Sequence, residues 1–187
     1  MADLDEQKRA LRARVRALLP RPGSPEAVAA SVAAQERLLA SPFLAETAVV
    51  GLYRALPSEC GTASLAASLE ARGTEVCYPA SAPDRLALRF RRSAGVFVSG
   101  ALGVEEPTGA PVELERIEVL VVPALAVDAD GHRLGRGRGH YDATLAGFRG
   151  RSVALVFDSQ LVPSVPVGDH DRRIGAVCTE SRFILCV

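Results

Sequence analysis

The feature of this sequence that most restricts its fold is the alternation of short apolar runs with stretches of helical periodicity. Apolar, strand-like runs occupy residues 48–53, 74–78, 117–122, 152–157, 174–179 and 183–187. Helical patterns occupy residues 3–19, 24–40, 62–72 and 140–148. This alternation favours an α/β fold in which a mostly parallel sheet lies between helices. We therefore predict a single domain over residues 1–187: a three-layer, open, Rossmann-like sheet with helices on both faces.

Two local patterns refine this prediction. Apolar and basic residues alternate in the first half of residues 85–98, which predicts a small antiparallel addition with one solvated face. Residues 99–113 are rich in Gly and Pro and are expected to form a loop. Ser24 and Thr62 are expected to cap the second and third helices.

Charge and composition exclude several classes of function. The 187 residues carry 22 basic and 22 acidic side chains, so a broad nucleic-acid interface is not expected. No apolar run is long enough to span a membrane or to act as a secretion signal, so we expect a cytoplasmic protein. We also expect a monomer. The four cysteines and three histidines are scattered, which argues against a structural zinc site.

The most informative chemistry lies in residues 128–142. Gly135, Gly137 and Gly139 alternate directly before a predicted helix, and we call residues 135–139 the glycine loop. Glycine lets a backbone approach a ligand closely, and a helix N-terminus attracts anions. The neighbouring arginines and Asp142 add donors for phosphate and a carboxylate suited to Mg²⁺. These residues predict a phosphate-binding loop, although the spacing matches neither the P-loop nor the dinucleotide-binding motif.

Lys8 allows two interpretations. It lies in the middle of the apolar arc of the first helix, with Arg12 on the edge of that arc. The stem of Lys8 could pack while its ammonium reaches water, or this edge of the helix could border a bound anion. The residues alone leave both interpretations open.

Five ordered segments resemble the 5-formyltetrahydrofolate cyclo-ligase (5,10-methenyltetrahydrofolate synthetase) family. The resemblance is carried by residues 8–12 (KRALR), 53–62 (YRALPSECGT), 103–107 (GVEEP), 132–142 (HRLGRGRGHYD) and 165–180, which contain VP, DHD and TE. Members of this family convert 5-formyltetrahydrofolate to 5,10-methenyltetrahydrofolate with ATP and Mg²⁺, releasing ADP and phosphate. The resemblance implies a phosphorylated formyl intermediate, which the amine N10 of the folate then attacks.

The resemblance also implies a role for each matching residue. ATP would be bound by Lys8, Arg12, Arg133, Leu134, Gly135, Arg136, Gly137, Arg138, Gly139, His140 and Tyr141. Arg136, Arg138 and Tyr141 would be catalytic, the two arginines by stabilising the charge on the transferred phosphoryl group. Arg54, Glu59 and His140 would bind the folate, and Asp142 and Asp171 would hold Mg²⁺. No nucleic acid or membrane is implied as a partner.

The sequence departs from the family pattern at several positions. Arg138 stands where many members have Lys or Gly, His140 occupies a position that is usually aromatic, and Ala80 replaces a common Arg. His140 and Ala80 motivate an alternative, a noncatalytic folate- or nucleotide-binding protein of the same fold. A phosphotransfer enzyme with a different acceptor is a third hypothesis.

Overall fold

The structure, a computed structural model, describes residues 3–82, 84, 86–100 and 103–186. Within these residues the helices are α1 (Leu4–Leu18), α2 (Pro25–Leu39), α3 (Ala63–Ala71) and α4 (His140–Gly147). The strands are β1 (Val49–Gly51), β2 (Glu75–Ala80), β3 (Arg89–Arg92), β4 (Phe97–Ser99), β5 (Glu105–Pro107), β6 (Pro111–Val112), β7 (Val119–Val122), β8 (Ala126–Val127), β9 (Arg133–Leu134), β10 (Arg151–Leu155), β11 (Ala176–Cys178) and β12 (Phe183–Leu185). Residue 85, the start of the expected antiparallel segment, and residue 187, the end of the last expected strand, lie outside the described residues.

Most of these strands belong to one central sheet, in the order β12-β11-β10-β7-β1-β2-β3-β6. The strands from β11 to β2 are parallel, whereas β12 and the pair β3 and β6 are added antiparallel at the two sides. The predicted α/β class and the antiparallel addition are therefore confirmed. Counted along the chain, the parallel strands have the order 2-1-3-4-5, which reverses between β1 and β7. Ligands of such sheets bind beyond the carboxyl ends of the strands at this reversal.

Apolar side chains cover both faces of the sheet. On one face, Leu38 of α2 and Leu69 of α3 pack against β1, β7 and β10. On the other face, Leu145 of α4 packs with Leu120 and Val122. All four residues of β7 are buried, which explains why this strand reads as a continuous apolar run. No helix within the described part of the chain is long and apolar enough to cross a bilayer.

The first helix packs beside the sheet and not on either of its faces. Its buried residues Leu11 and Val15 contact Leu125, Leu134 and Val165. Leu134 belongs to a hairpin in which β8 pairs antiparallel with β9. The apolar arc of α1 therefore holds the helix against this hairpin, directly before the glycine loop.

Two local expectations need correction. Residues 99–113 do not form one continuous loop, because β5 pairs with β4, and β6 pairs with β3. Strands of two or three residues are too short to show a periodic pattern of apolar residues, and the Gly and Pro around them are typical of a loop. Thr62 occupies the N-cap position of α3, but its hydroxyl donates to the carbonyl of Tyr53 at 2.7 Å and does not cap the helix. Ser24 caps α2 as expected, accepting from the backbone of Ala27 at 3.2 Å.

Candidate active site

A cleft of about 380 Å³ opens where β1 and β7 end. The rule that ligands bind beyond the carboxyl ends of parallel strands selects the loops of residues 54–61, 123–139 and 162–173. All three contribute to the walls of the cleft, together with α1 and the start of α4. The candidate residues Lys8, Arg12, Arg54, Glu59, Arg133, Leu134, Gly135, Arg136, Gly137, Arg138, Gly139, His140, Tyr141, Asp142 and Asp171 all line this cleft. The fold therefore brings the whole predicted set together, from positions up to 163 residues apart.

The N-terminal lysine lies against an aspartate from the far end of the chain. The ammonium of Lys8 donates to Asp171 Oδ2 at 2.5 Å, and the backbone N–H of Gly168 donates to the same oxygen at 2.6 Å. Burial alone would raise the pKa of Asp171, but the hydrogen bonds from Lys8 and Gly168 and the nearby positive charges hold it below its ordinary value. The Asp171 carboxylate is therefore ionised, and the ammonium of Lys8 lies in the cleft wall.

A second ion pair joins Arg133 to Asp142. The guanidinium donates to Asp142 Oδ1 at 2.9 Å, and the Arg133 side chain is only 2% exposed. Burial lowers the pKa of Arg133, and the negative charge of Asp142 opposes that effect. The Nε–H of Arg133 is buried and has no hydrogen-bond partner among the described residues. A buried donor of this kind indicates an acceptor that the protein itself does not supply.

The glycine loop turns sharply between these two pairs. Gly137 and Gly139 have φ values of +102° and +73°, which a side chain with Cβ adopts only with strain. Gly139 is the N-cap residue of α4 and provides no capping side chain for the first N–H groups of that helix, whose first three residues line the cleft. Arg12 donates to the carbonyl of Gly135 at 3.0 Å and ties α1 to this loop.

Arg136 connects the glycine loop to the loop after β1. Its Nε donates to Glu59 Oε1 at 3.0 Å, and a second nitrogen donates to the hydroxyl of Ser58 at 2.9 Å. The other oxygen of Glu59 accepts from the backbone of Leu56 at 2.9 Å, which closes the loop after β1. The Tyr53 hydroxyl, 2.6 Å from the carbonyl oxygen of Cys60, fixes the other end of that loop.

On another wall of the cleft, Arg54 contacts residues that the sequence did not single out as functional. Arg54 forms an ion pair with Glu105 and lies over the ring of Phe97, 4.2 Å from its centroid. Both partners belong to the β4–β5 hairpin, whose Glu106 also lines the cleft and accepts from the Ser81 backbone at 3.0 Å. The GVEEP segment was the available signal, since it carries the family resemblance, but no role was inferred from it.

Tyr141 and His140 occupy different environments at the start of α4. Tyr141 packs between the two apolar clusters of the core, and burial raises the pKa of its hydroxyl, so this group stays protonated. His140 Nδ1 lies 2.8 Å from the carbonyl oxygen of Leu86 at the cleft mouth. Arg138 is exposed, and no hydrogen bond or ion pair of its side chain is found among the described residues.

The floor of the cleft depends on a residue that sequence reasoning missed. Gln160 is 2% exposed; its amide nitrogen donates to the carbonyl of Ala124 at 2.6 Å, and its amide oxygen accepts from the Phe157 backbone at 2.8 Å. It therefore fixes the backbone directly after β7. Ala80, one of the departures from the family pattern, is buried in β2, while its neighbours Pro79 and Ser81 line the cleft.

Comparison with known proteins gives a consistent result. A model described as the 5-formyltetrahydrofolate cyclo-ligase family matches residues 4–180. The chain is 33% identical over 145 residues to 5-formyltetrahydrofolate cyclo-ligase of Mycolicibacterium smegmatis, covering 72% of this chain and 75% of the relative. It is 30% identical over 159 residues to the enzyme of that name from Escherichia coli K12, covering 80% and 87%.

Solved structures show the same similarity. The NMR structure of Aquifex aeolicus 5,10-methenyltetrahydrofolate synthetase has a TM-score of 0.84 and 25% identity, covering 96% of this chain and 92% of that chain. The 5,10-methenyltetrahydrofolate synthetase from Mycoplasma pneumoniae has a TM-score of 0.75 at 17% identity, covering 92% and 98%, which supports the fold alone.

Proposed function

Because the chain belongs to the 5-formyltetrahydrofolate cyclo-ligase family, and is an enzyme of that kind, we propose that it cyclises 5-formyltetrahydrofolate to 5,10-methenyltetrahydrofolate in a reaction that requires ATP and Mg²⁺. ADP and phosphate are the other products. The observation that carries this proposal is the convergence of Lys8, the glycine loop, Asp142 and Asp171 on one cleft, next to Glu59.

The cations of the cleft suit a triphosphate. Lys8, Arg12 and Arg133 line one stretch of wall, and the glycine loop and the N-terminus of α4 adjoin it. Charge-assisted hydrogen bonds to phosphate are about twice as strong as neutral ones. The unpartnered Nε–H of Arg133 provides one buried donor for a phosphate oxygen. We assign these groups to the ATP phosphates, and Leu134 and Tyr141 to the packing beside them.

The two aspartates suit a magnesium ion that accompanies this triphosphate. Among the described residues, hydrogen bonds to Asp142 reach only Oδ1, and those to Asp171 reach only Oδ2. Each carboxylate therefore keeps one oxygen for a hard cation, and Mg²⁺ typically takes one or two carboxylates together with phosphate oxygens and water. When bound, the metal would neutralise charge on the phosphates.

The remaining wall suits the folate. Glu59 can accept from N–H donors of the pterin ring, and Arg54 lines the same cleft at the rim where it pairs with Glu105 of the β4–β5 hairpin. His140 lies where the glycine loop ends, so it can contact both ligands. The ring of Phe97 lies under the Arg54 guanidinium and holds it at this rim.

The chemistry then requires alignment and charge stabilisation. The formyl oxygen attacks the γ-phosphorus of ATP, an O–P bond forms, the bond to the β-phosphate oxygen breaks, and ADP leaves. N10 of the folate next attacks the activated formyl carbon and loses its proton, and phosphate departs with the former formyl oxygen. Arg136 and Arg138 stabilise the charge on the transferred phosphoryl group, and the protonated Tyr141 hydroxyl can donate to it.

A spectrophotometric assay tests the proposal. Purified protein with 5-formyltetrahydrofolate, Mg²⁺ and ATP is expected to generate the absorbance of methenyltetrahydrofolate, and omission of ATP or Mg²⁺ is expected to abolish the signal. Tight binding of folate or ATP by calorimetry without turnover would support the noncatalytic alternative instead. A different acceptor that greatly outperforms the folate would identify another phosphotransfer reaction.

A further inference from the structure

A buried carboxylate outside the cleft lining makes an unusual number of contacts. Asp128, at the end of β8, is 2% exposed. Its Oδ1 accepts from the backbone N–H groups of Asp130 at 3.1 Å and His132 at 2.9 Å. Its Oδ2 accepts from the backbone N–H of Val165 at 2.9 Å and lies 3.2 Å from His132 Nδ1. A buried charge is retained only when such partners compensate it.

These contacts argue against a second metal site. Asp128, Asp130 and His132 offer ligand-type atoms within 4.8 Å of one another. However, backbone N–H groups approach both oxygens of Asp128, so its electron pairs are directed at the protein itself. The carboxylate instead organises the turn between β8 and β9.

The contact with Val165 links this turn to a different part of the chain. Val165 lies in residues 162–173, which we call the Asp171 loop. The β8–β9 hairpin also anchors that loop at both ends. The backbone N–H of Val162 donates to the carbonyl of Val127 at 2.8 Å, and the backbone N–H of Ile174 donates to the carbonyl of Gly131 at 2.9 Å. Asp128 supplies the side-chain contact between these two backbone anchors.

The same hairpin also leads into the nucleotide side of the cleft. Its second strand, β9, contains Arg133 and continues directly into the glycine loop. The Asp171 loop carries the carboxylate that Lys8 contacts. A displacement of the hairpin relative to this loop would therefore change the separation of Arg133 and Asp171, which face the same region of the cleft.

We propose that Asp128 is a positioning residue that sets Asp171 relative to Arg133 and the glycine loop, and thereby determines how well Mg²⁺ increases the affinity for ATP. This inference rests on the proposed function, because it assigns Mg²⁺ to Asp142 and Asp171. Asp128 touches neither ligand and acts through the Val165 contact. Replacing a residue that bonds a metal ligand directly commonly changes metal affinity by about 10–100-fold. Asp128 holds the loop of Asp171 and not the carboxylate itself, so we expect the lower end of this range.

The geometry explains why a carboxylate is needed at this position. Both oxygens of Asp128 face N–H donors, which a carboxylate satisfies because it accepts on both sides. In Asp128→Asn one side becomes an NH₂ group that opposes an N–H donor in either orientation. The NH₂ group favours the Val165 side, where it opposes one backbone N–H instead of two and can donate to His132 Nδ1. The substitution thus preserves size and shape while it breaks the link to Val165.

Nucleotide binding with and without Mg²⁺ tests the proposal. The affinities of the full chain for a nonhydrolysable ATP analogue are measured by calorimetry in Mg²⁺ and in EDTA, and their ratio is the Mg²⁺-dependent gain. In Asp128→Asn this gain is expected to fall about tenfold, with the affinity in EDTA within about twofold of wild type. Equal losses in both conditions, or an unchanged gain, would overturn the positioning role.

Two neighbouring substitutions serve as controls. Asp130→Asn makes the same isosteric change at an exposed carboxylate of the same turn. His132→Ala removes the Nδ1 contact with Asp128 and leaves the three backbone contacts in place. Both controls are expected to keep the Mg²⁺-dependent gain. A wild-type protein without any such gain would reject the proposed function itself, which distinguishes that failure from failure of the Asp128 proposal.

A measurement on the unmodified chain covers the case in which Asp128→Asn does not fold. Amide hydrogen exchange of wild-type protein, without nucleotide, is expected to show Val162, Val165 and Ile174 protected, because the hairpin already holds the Asp171 loop. Rapid exchange of the Val165 amide that slows only when Mg²⁺ and the ATP analogue are added would contradict the proposal.

Discussion

At the scale of single residues, the cleft combines charges that we assign to different ligands. Lys8 contacts Asp171, Arg133 contacts Asp142, and Arg136 contacts Glu59. In each pair we assign the cation to phosphate and the carboxylate to Mg²⁺ or the pterin. A bound phosphate therefore competes with a carboxylate for each cation. Substitutions at these positions should change ligand affinity and protein stability together, and the two effects have to be separated.

The first residue-scale prediction concerns Lys8→Met. A hydrogen bond to a charged group contributes roughly 1.5–3 kcal/mol, so loss of this donor to phosphate is expected to weaken nucleotide binding by about tenfold or more. Folate binding is expected to stay unchanged. Calorimetry with the ATP analogue and with folate measures both. Arg9→Met, at an exposed position of the same helix, is the matched control and is expected to bind both ligands normally.

The loss of stability caused by Lys8→Met is expected to depend on pH. Because the folded-state pKa of Asp171 is lowered, its stabilising contribution is present above the ordinary value of 3.8 and is lost as the pH falls through the lower folded-state value. Lys8→Met is thus expected to unfold more easily than wild type at neutral pH, by about 1 kcal/mol for a partly exposed pair. The difference should shrink in acid. A difference that grows as the pH falls would contradict the assigned ion pair.

The second residue-scale prediction separates charge from ligand binding at Asp142. Asp142→Ala leaves the buried guanidinium of Arg133 uncompensated and is expected to cost about 3 kcal/mol of unfolding free energy. Asp142→Asn keeps an acceptor for Arg133, so it should be less destabilised while the Mg²⁺-dependent gain in ATP affinity is still lost. Denaturant titration and calorimetry measure the two effects. Equal stabilities of the two variants would indicate that the Arg133 guanidinium is not a buried charge that depends on Asp142.

A contrasting substitution tests the folate side. Arg54→Ala removes the cation beside Phe97 and is expected to weaken folate binding about tenfold, with MgATP binding unchanged. Arg91→Ala, an exposed arginine of β3 away from the cleft lining, is the control for loss of charge. If Arg54→Ala weakens MgATP and folate binding equally while folding is intact, the division of the cleft into two sides is wrong.

At the scale of elements, the sequence predicts periodic segments well and aperiodic ones poorly. Helix α1 was expected over residues 3–19 and is observed over Leu4–Leu18, since its apolar arc is long and regular. Strands β5 and β6 were missed because they contain two or three residues, and their pairing with β4 and β3 is set by tertiary contacts. The contact between Arg54 and Glu105 was missed for the same reason.

The glycine loop supplies the element-scale prediction. Gly137 has a φ of +102°, so Gly137→Ala is expected to cost about 1–2 kcal/mol of stability or to reshape the loop, and in either case to weaken nucleotide binding. Gly147→Ala, at the other end of α4, meets only ordinary contact with Leu114 at 3.7 Å. This control should be neutral or slightly stabilising, since alanine favours helix. If the two substitutions change stability and nucleotide binding equally, the positive φ of Gly137 is not the reason that the loop requires glycine.

At the scale of the whole molecule, topology brings the site together. The rule that ligands bind beyond the carboxyl ends of parallel strands selects the three loops from the sequence, because it needs only the strand ends. The order of the strands and the contact between Lys8 and Asp171, 163 residues apart, depend on packing that no local pattern encodes. For the same reason the sequence could assign residues to ligands but could not show that those residues contact one another.

One such contact, between Arg136 and Glu59, leads to a prediction about the two substrates together. Arg136 belongs to the glycine loop and Glu59 to the folate wall, and they meet at 3.0 Å. A phosphate that draws Arg136 away from Glu59 leaves this carboxylate able to accept from the pterin. Nucleotide is therefore expected to tighten folate binding about fivefold, corresponding to ~1 kcal/mol for a partly exposed pair, and folate must tighten nucleotide binding by the same factor.

Binding experiments on two arginine variants distinguish this coupling from simple proximity of the ligands. In Arg136→Ala, Glu59 no longer pairs with an arginine. Folate should therefore bind this variant without nucleotide about as tightly as it binds wild type with nucleotide, and the coupling should vanish. Arg138→Ala removes the same charge from the same loop, yet Arg138 makes no ion pair with the described residues, so the coupling should persist. Calorimetric titration of folate with and without the ATP analogue gives both values. If Arg136→Ala instead binds folate more weakly in both conditions, Arg136 contacts the folate directly, and the competition between phosphate and Glu59 is not the origin of the coupling.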